Sequence, residues 1–237
     1  MTDRVLVAGA TGGVGSHIVR KLLGQGASVR ILVRDVEKAR RLFAGAEGSG
    51  ALEIVGGDVR QPATLIPAMG GVKHVLCATG SSTPIGSNSP QHVDYEGVRN
   101  LVDAAKNEGV ERFLLVSSMA VTKPNHFLNA FGQVLTWKLR GENHLRASGV
   151  PYTIVRPGGL QNASGGQGGL IFDQGDRAQG MISREDVSEV CVRALGREDT
   201  HNVTFEVMNS DGPPPSPADW DRLFGALQPD AALAAGA

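Results

Sequence analysis

The chain has 237 residues, 41% hydrophobic and 20% charged, which is the balance of a soluble globular protein long enough to bury a substantial core. Its 23 basic and 24 acidic residues leave a formal charge of −1, so there is no electrostatic case for nucleic acid or an anionic membrane as partner. No apolar stretch reaches membrane-spanning length, and Met1-Thr2-Asp3-Arg4 leads into a strand without a signal-peptide pattern, so a cytoplasmic location is expected.

The first element is the apolar run Val5 to Ala8, which stops at Gly9-Ala10-Thr11-Gly12-Gly13-Val14-Gly15. Val14, Ile18, Leu22 and Leu23 then continue at helical spacing. A glycine triad alone is equally a structural turn, but a strand before it and a helix after it read as a phosphate-cradling turn. Gly9 permits the tight turn, Gly12 removes the Cβ that would hold a diphosphate off the backbone, and Gly15 lets the helix lie close to the strand. The unpaired amides and positive dipole end of that helix form an anion site that needs no charged side chain.

A second strand, Ser28 to Val33, ends at Arg34-Asp35, where the adenosine ribose of a dinucleotide lies. A carboxylate there holds the ribose hydroxyls, whereas an arginine accommodates a 2′-phosphate. Arg34 comes first, which favours NADP(H) over NAD(H). Lys38, Arg40 and Arg41 read as a solvated helix face. The third strand, Leu52 to Val55, closes on Gly56-Gly57-Asp58-Val59, where Asp58 is either a turn residue or an adenine contact. The fourth, Val72 to Cys77, closes on Ala78-Thr79-Gly80, whose glycine allows a ligand close to the backbone. Cys77 and Cys191 are far apart and lack CxxC or metal-ligand spacing, so they read as buried thiols, and no metal site is expected.

Ser81 to Gln91 is loop, either a substrate lid or a linker. Tyr95 to Asn107 is helical, Phe113 to Val116 is a fifth strand running into Ser117-Ser118, Asn129 to Ala147 is a long helix, and Tyr152 to Val155 is a sixth strand ending in Arg156-Pro157. This alternation predicts an α/β fold, a doubly wound parallel sheet of Rossmann type with ligands at the carboxyl edge of the strands. The glycine-rich stretch from Gly158 to about 182 reads as a flexible flap in a loop-rich substrate region. Ser183 caps a helix through Val187, Val190, Cys191 and Ala194, and Val203 to Val207 with Trp220 to Leu227 form a small C-terminal strand-helix extension. The alanine-rich tail after Asp230 is expected to fray. No repeat or linker divides the chain, so 1–237 is a single domain.

These segments together resemble the short-chain dehydrogenase/reductase superfamily, in its atypical NAD(P)H-binding branch with flavin-reductase-like and redox-sensor-like members. The resemblance is carried by Gly-Ala-Thr-Gly-Gly-Val-Gly at 9 to 15, Leu-Val-Arg-Asp at 32 to 35, Gly-Asp-Val at 57 to 59 and Val-Ser-Ser at 116 to 118. Lys138 with Glu142, and Tyr-Thr-Ile-Val-Arg-Pro-Gly-Gly at 152 to 159, complete it. It implies that Gly9, Thr11, Gly13 and Val14 surround the diphosphate, Arg34 the 2′-phosphate, and Asp58 and Val59 the adenine. By the same resemblance Ala78, Thr79 and Gly80 lie along the cofactor, Lys138 at the nicotinamide ribose, and Pro157 on the carboxamide side.

One position departs from that pattern. In catalytic members a tyrosine stands four residues before the lysine, and its phenol protonates the oxygen as hydride arrives. Here that position is Val134. Ser117 and Lys138 remain as candidate catalytic residues, with Ser117 either orienting a substrate or satisfying backbone groups. His126 is either a replacement proton donor or a solvated loop residue. The expected function is NADP(H)-dependent reduction of a small conjugated acceptor such as a flavin or quinone. The alternatives are a non-catalytic NADP(H) sensor with a protein partner and a sugar-nucleotide epimerase or dehydratase, the latter weakened by the missing tyrosine. Monomer and homodimer both remain open.

Overall fold

The structure, a computed structural model, describes residues 3–46 and 50–231. Its first half alternates β1 (Arg4–Ala8), α1 (Gly13–Gly24), β2 (Ser28–Val33), α2 (Val36–Leu42), β3 (Leu52–Gly56), α3 (Ile66–Met69), β4 (His74–Cys77), α4 (Val98–Asn107) and β5 (Arg112–Val116). There follow α5 (Val134–Ala147), β6 (Tyr152–Pro157), β7 (Gly159–Gln161), β8 (Gly169–Asp173), β9 (Met181–Ser183), α6 (Arg184–Leu195), β10 (Val203–Ser210) and α7 (Pro217–Gly225). Eight strands form the main sheet in the order β3-β2-β1-β4-β5-β6-β10-β8. The order reverses direction at β1, which pairs with β2 on one side and β4 on the other, and ligands of such sheets bind in the crevice that this reversal opens.

The central strands β1, β2, β4, β5 and β6 are buried on both faces, and alternate side chains feed two separate cores. Val5 and Val7 of β1 join Val14, Ile18 and Leu22 of α1 and Val187, Val190 and Cys191 of α6 on one side. Leu6 and Ala8 face the other way, toward Ala68 and Met69 of α3, Leu101 and Val102 of α4 and Leu145 of α5. Helices on both faces make the sheet doubly wound, as the alternation of elements predicts. The Ser183 hydroxyl caps α6 by accepting from the Asp186 amide, also as expected.

Three expectations need correction. The 158–182 stretch is not simply a flap: Leu170-Ile171-Phe172 lies in β8, the antiparallel edge strand beside β10, and its Phe172 ring packs 4.8 Å from that of Phe205. The sheet is therefore parallel except at that edge. The helix expected from Asn129 starts at Val134, because Gly132 (φ 58°) and Gln133 (φ 60°) are both left-handed. Asn129 contributes instead by accepting from the Leu135 and Thr136 amides through its Oδ1. The helix expected from Tyr95 begins earlier, as a π-helical turn over Gln91–Gly97 that leads into α4. The frayed tail expected after Asp230 lies, past Ala231, outside the described residues.

Candidate dinucleotide and hydride-transfer site

Gly9 (φ 81°) turns the chain directly beneath the end of β4: a Cβ there would stand 2.4 Å from the Ala78 carbonyl oxygen. At Gly15 a Cβ would stand 2.2 Å from the Gly9 carbonyl oxygen, so α1 can rest on the turn only as glycine. Gly12 caps α1 without a side-chain bond, and no acidic residue occupies the first helical turn. The first-turn amides, which have no intrahelical acceptor, therefore open onto the crevice with the positive end of the helix behind them.

Nine of the residues singled out from sequence line one cleft of about 240 Å³: Gly9, Thr11, Gly12, Arg34, Asp58, Val59, Ala78, Thr79 and Gly80. Lys38 lines it too, contrary to its reading as solvated surface. Its neighbour Arg40 pairs with Glu37 at 2.6 Å. The acid and the base at the end of β2 have separate tasks. Asp35 spends its carboxylate on the N-terminus of α2, accepting from the Lys38 amide at 2.8 Å. Arg34 lines the cleft and donates to Asn88 Oδ1 at 2.7 Å, which ties the 81–91 loop to the end of β2.

Asp58 is a turn residue, accepting from the Arg60 amide at 3.0 Å, and it also lines the cleft. The Arg60 guanidinium grips the same carboxylate and holds it below the usual carboxylate range. Arg60 also donates to the Ser87 carbonyl at 2.6 Å, adding a second tie to the loop. Arg60 was not foreseen from sequence, although its i+2 spacing from a turn aspartate is the signal for such a pair.

Ser117 and Lys138 stand beside the cleft, around a small cavity of about 10 Å³ that also involves Thr79 and Asp94. That volume holds about one water. Lys138 Nζ pairs at 2.7 Å with Asp94, whose side chain is only 1% exposed. The other Asp94 oxygen accepts from the Ser81 amide at 3.2 Å, so the π-helical turn fixes both Lys138 and the chain leaving β4. Asp94 was missed because it lies before the periodic part of the helix. Ser117 Oγ is buried and has no hydrogen-bond partner among the described residues, so it does not satisfy backbone groups at the strand end. Val134, in the tyrosine position, packs on Ala120, Val121 and Leu135 and offers no proton. His126 accepts from the Leu128 amide at 3.3 Å through Nδ1, a capping role in a short 3-10 turn, and its ring lies tilted 4.6 Å from that of Phe127.

Three assigned residues are not among those lining the cleft. Val14 is buried in the core under α1, and Pro157 is buried where β6 pairs with β10. Gly13 lies beneath the side chain of Arg184. Below Pro157, Arg156 donates to Glu142 of α5 at 2.7 Å and to Glu206 of β10 at 3.1 Å, with both carboxylate side chains fully buried. Glu206 also accepts from the Asp176 amide at 3.0 Å, and the Asp176 carboxylate accepts from the Ala120 and Thr122 amides at 2.6 and 2.8 Å. This buried chain of charges links the helix carrying Lys138 to the loop that follows Ser117.

A family model described as NAD(P)H-binding matches residues 9–198, a span that includes the glycine turn, Arg34, Ser117 and Lys138. The chain is 34% identical to sanguinarine reductase of Eschscholzia californica, over 94% of this chain and 95% of that protein. It is 41% identical to the chloroplastic protein At2g34460 of Arabidopsis thaliana, over 87% of this chain and 77% of that one. Among solved structures, a putative NAD-dependent epimerase/dehydratase from Bacillus halodurans superposes with a TM-score of 0.76 at 29% identity, covering 89% of this chain and 96% of that one.

Proposed function

The chain belongs to the NAD(P)H-binding family, of atypical short-chain dehydrogenase/reductase type, and from that premise we propose that it is an NADPH-dependent reductase of a planar conjugated acceptor. The observation that carries this reading is the division of labour at the end of β2, where Asp35 is consumed as a helix cap and Arg34 is presented to the cleft. A free carboxylate at that point would hold ribose hydroxyls, whereas a guanidinium there meets a 2′-phosphate. When bound, the cofactor supplies the hydride. The first turn of α1 receives the diphosphate, Asp94 orients Lys138 toward the ribose, and the free Ser117 hydroxyl orients the acceptor. With valine at 134, the acceptor is one that stabilises the added electrons itself, such as a flavin or quinone, and draws its proton from water. The similarity to sanguinarine reductase supports reductase chemistry.

A second reading, a protein that binds NADP(H) without turning it over, is favoured by the small volume beside Ser117 and Lys138. Catalysis requires that cavity to widen when cofactor and acceptor enter.

Fluorescence titration with NADPH and NADH tests the cofactor assignment. The parent protein is expected to prefer NADPH, and Arg34→Ala to weaken NADPH by about 1.5 to 3 kcal/mol, the scale of a hydrogen bond to a charged group, with little change for NADH. Equal losses for the two cofactors would remove Arg34 from the 2′-phosphate site.

A further inference from the structure

We infer that Arg184 is a ligand of the dinucleotide diphosphate, reaching it across Gly13 of the glycine turn and tying the glycine-rich 162–166 segment to cofactor occupancy. The inference rests on the dinucleotide reading of the cleft. Arg184 is the first residue of α6, whose start is fixed by the Ser183 cap. A 2.8 Å ion pair between Lys21 and Glu189 holds α6 against α1. The Arg184 side chain runs across Gly13, the first residue of α1: a Cβ on Gly13 would stand 2.5 Å from Arg184 Cδ and 2.7 Å from its Nε. Gly13 is therefore required by the passage of this arginine, not only by a phosphate.

The electrostatics call for an anion between the two. A guanidinium at the positive end of a helix is repelled by the helix dipole unless a negative charge lies between them. The first turn of α1 supplies no acidic residue. Among the described residues no carboxylate pairs with Arg184, and its hydrogen-bond partner is the neutral Asn162 Oδ1 at 2.7 Å. A diphosphate supplies the missing charge, taking the amides of α1 on one side and the guanidinium on the other. Asn162 lies just past β7, and the same first turn of α6 holds the residues that follow it. Glu185 accepts from the Gly165 amide at 3.0 Å, and Asp186 from the Gly166 amide at 2.7 Å. The glycine-rich segment is thus moored where the diphosphate binds.

Three probes separate the phosphates: NADPH, NADH and adenosine 2′-monophosphate, which lacks the diphosphate. Arg184→Ala is expected to weaken NADPH and NADH by a similar factor, about ten- to a hundredfold, the range set by one charged hydrogen bond. Adenosine 2′-monophosphate should bind Arg184→Ala as it binds the parent. Arg34→Ala is expected to show the converse, losing the monophosphate and sparing NADH. Arg184→Gln, which keeps a donor for Asn162 without the charge, should match Arg184→Ala for both dinucleotides and serves in its place should the alanine variant not fold. Undiminished NADPH and NADH affinity in either folded variant overturns the inference alone. Failure of the parent to bind NADPH or NADH overturns the cofactor reading, and this inference with it.

Discussion

Gly12→Val is expected to abolish NADPH and NADH binding, raising Kd at least about a hundredfold, while leaving the melting temperature within about 4 °C of the parent. The asymmetry follows from local geometry. Gly12 has an extended backbone (φ −85°, ψ 173°) that valine adopts readily, and a Cβ there would meet only the Gly9 carbonyl oxygen, at 3.2 Å. The added methyl groups would then project over the cleft that Gly12 lines, where the diphosphate must approach the amides. Gly15→Val provides the contrast, because its Cβ would be forced to 2.2 Å from backbone and would lift α1 off the turn. That variant should lose stability as well as binding. Retained cofactor affinity in a folded Gly12→Val protein would place the nucleotide at another turn.

Arg156→Ala is expected to destabilise the fold by about 3 to 5 kcal/mol, the cost of leaving buried charge without its partner. Arg156 is 5% exposed, and the two carboxylates it bridges, Glu142 and Glu206, are fully buried. Burial already pushes the Glu206 carboxyl above its ordinary value of 4.5 even with Arg156 beside it. Without the guanidinium the folded-state pKa of Glu206 rises further, so the folded protein holds its proton more tightly than the unfolded chain does. Stability of the variant then falls as pH rises through 4.5 toward the raised value and levels off above it. Denaturant titrations should therefore show a deficit relative to the parent that is largest at neutral pH and shrinks toward pH 4.5. A deficit independent of pH would mean that lost packing dominates. The same substitution should impair NADPH oxidation, because Glu206 supports Asp176 and Asp176 holds the loop after Ser117.

Much of this arrangement is legible in the sequence because it is written in backbone requirements. Gly9, Gly12 and Gly15 state where the chain must turn tightly or approach itself closely, and Arg34 follows directly on the apolar run of β2 and lines the cleft. The strands are readable because their apolar runs are short, and those of β1, β3 and β4 run into glycine-bearing turns. What escaped depends on contacts between distant segments. Asp94 meets Lys138 only because a π-helical turn rotates it inward, and Lys38 reaches the cleft only because Asp35 fixes the start of α2. Gly13 is also crossed by an arginine about 170 residues away, a relation that no local pattern carries. Leu170-Ile171-Phe172 was overlooked because four glycines within the five residues before it mask a strand that finds its partner only in β10.

The central claim is that hydride leaves bound NADPH for an acceptor that needs no side-chain acid. The pH dependence of NADPH oxidation, at saturating NADPH with a quinone or flavin acceptor, tests it most directly. With valine packed at 134 and His126 occupied as a cap, turnover is expected to be flat from about pH 6 to 9, since no side chain in the site donates the proton. A single group titrating in that range and removed by His126→Ala, or NADPH that binds but is not oxidised by either acceptor at any pH, would contradict it.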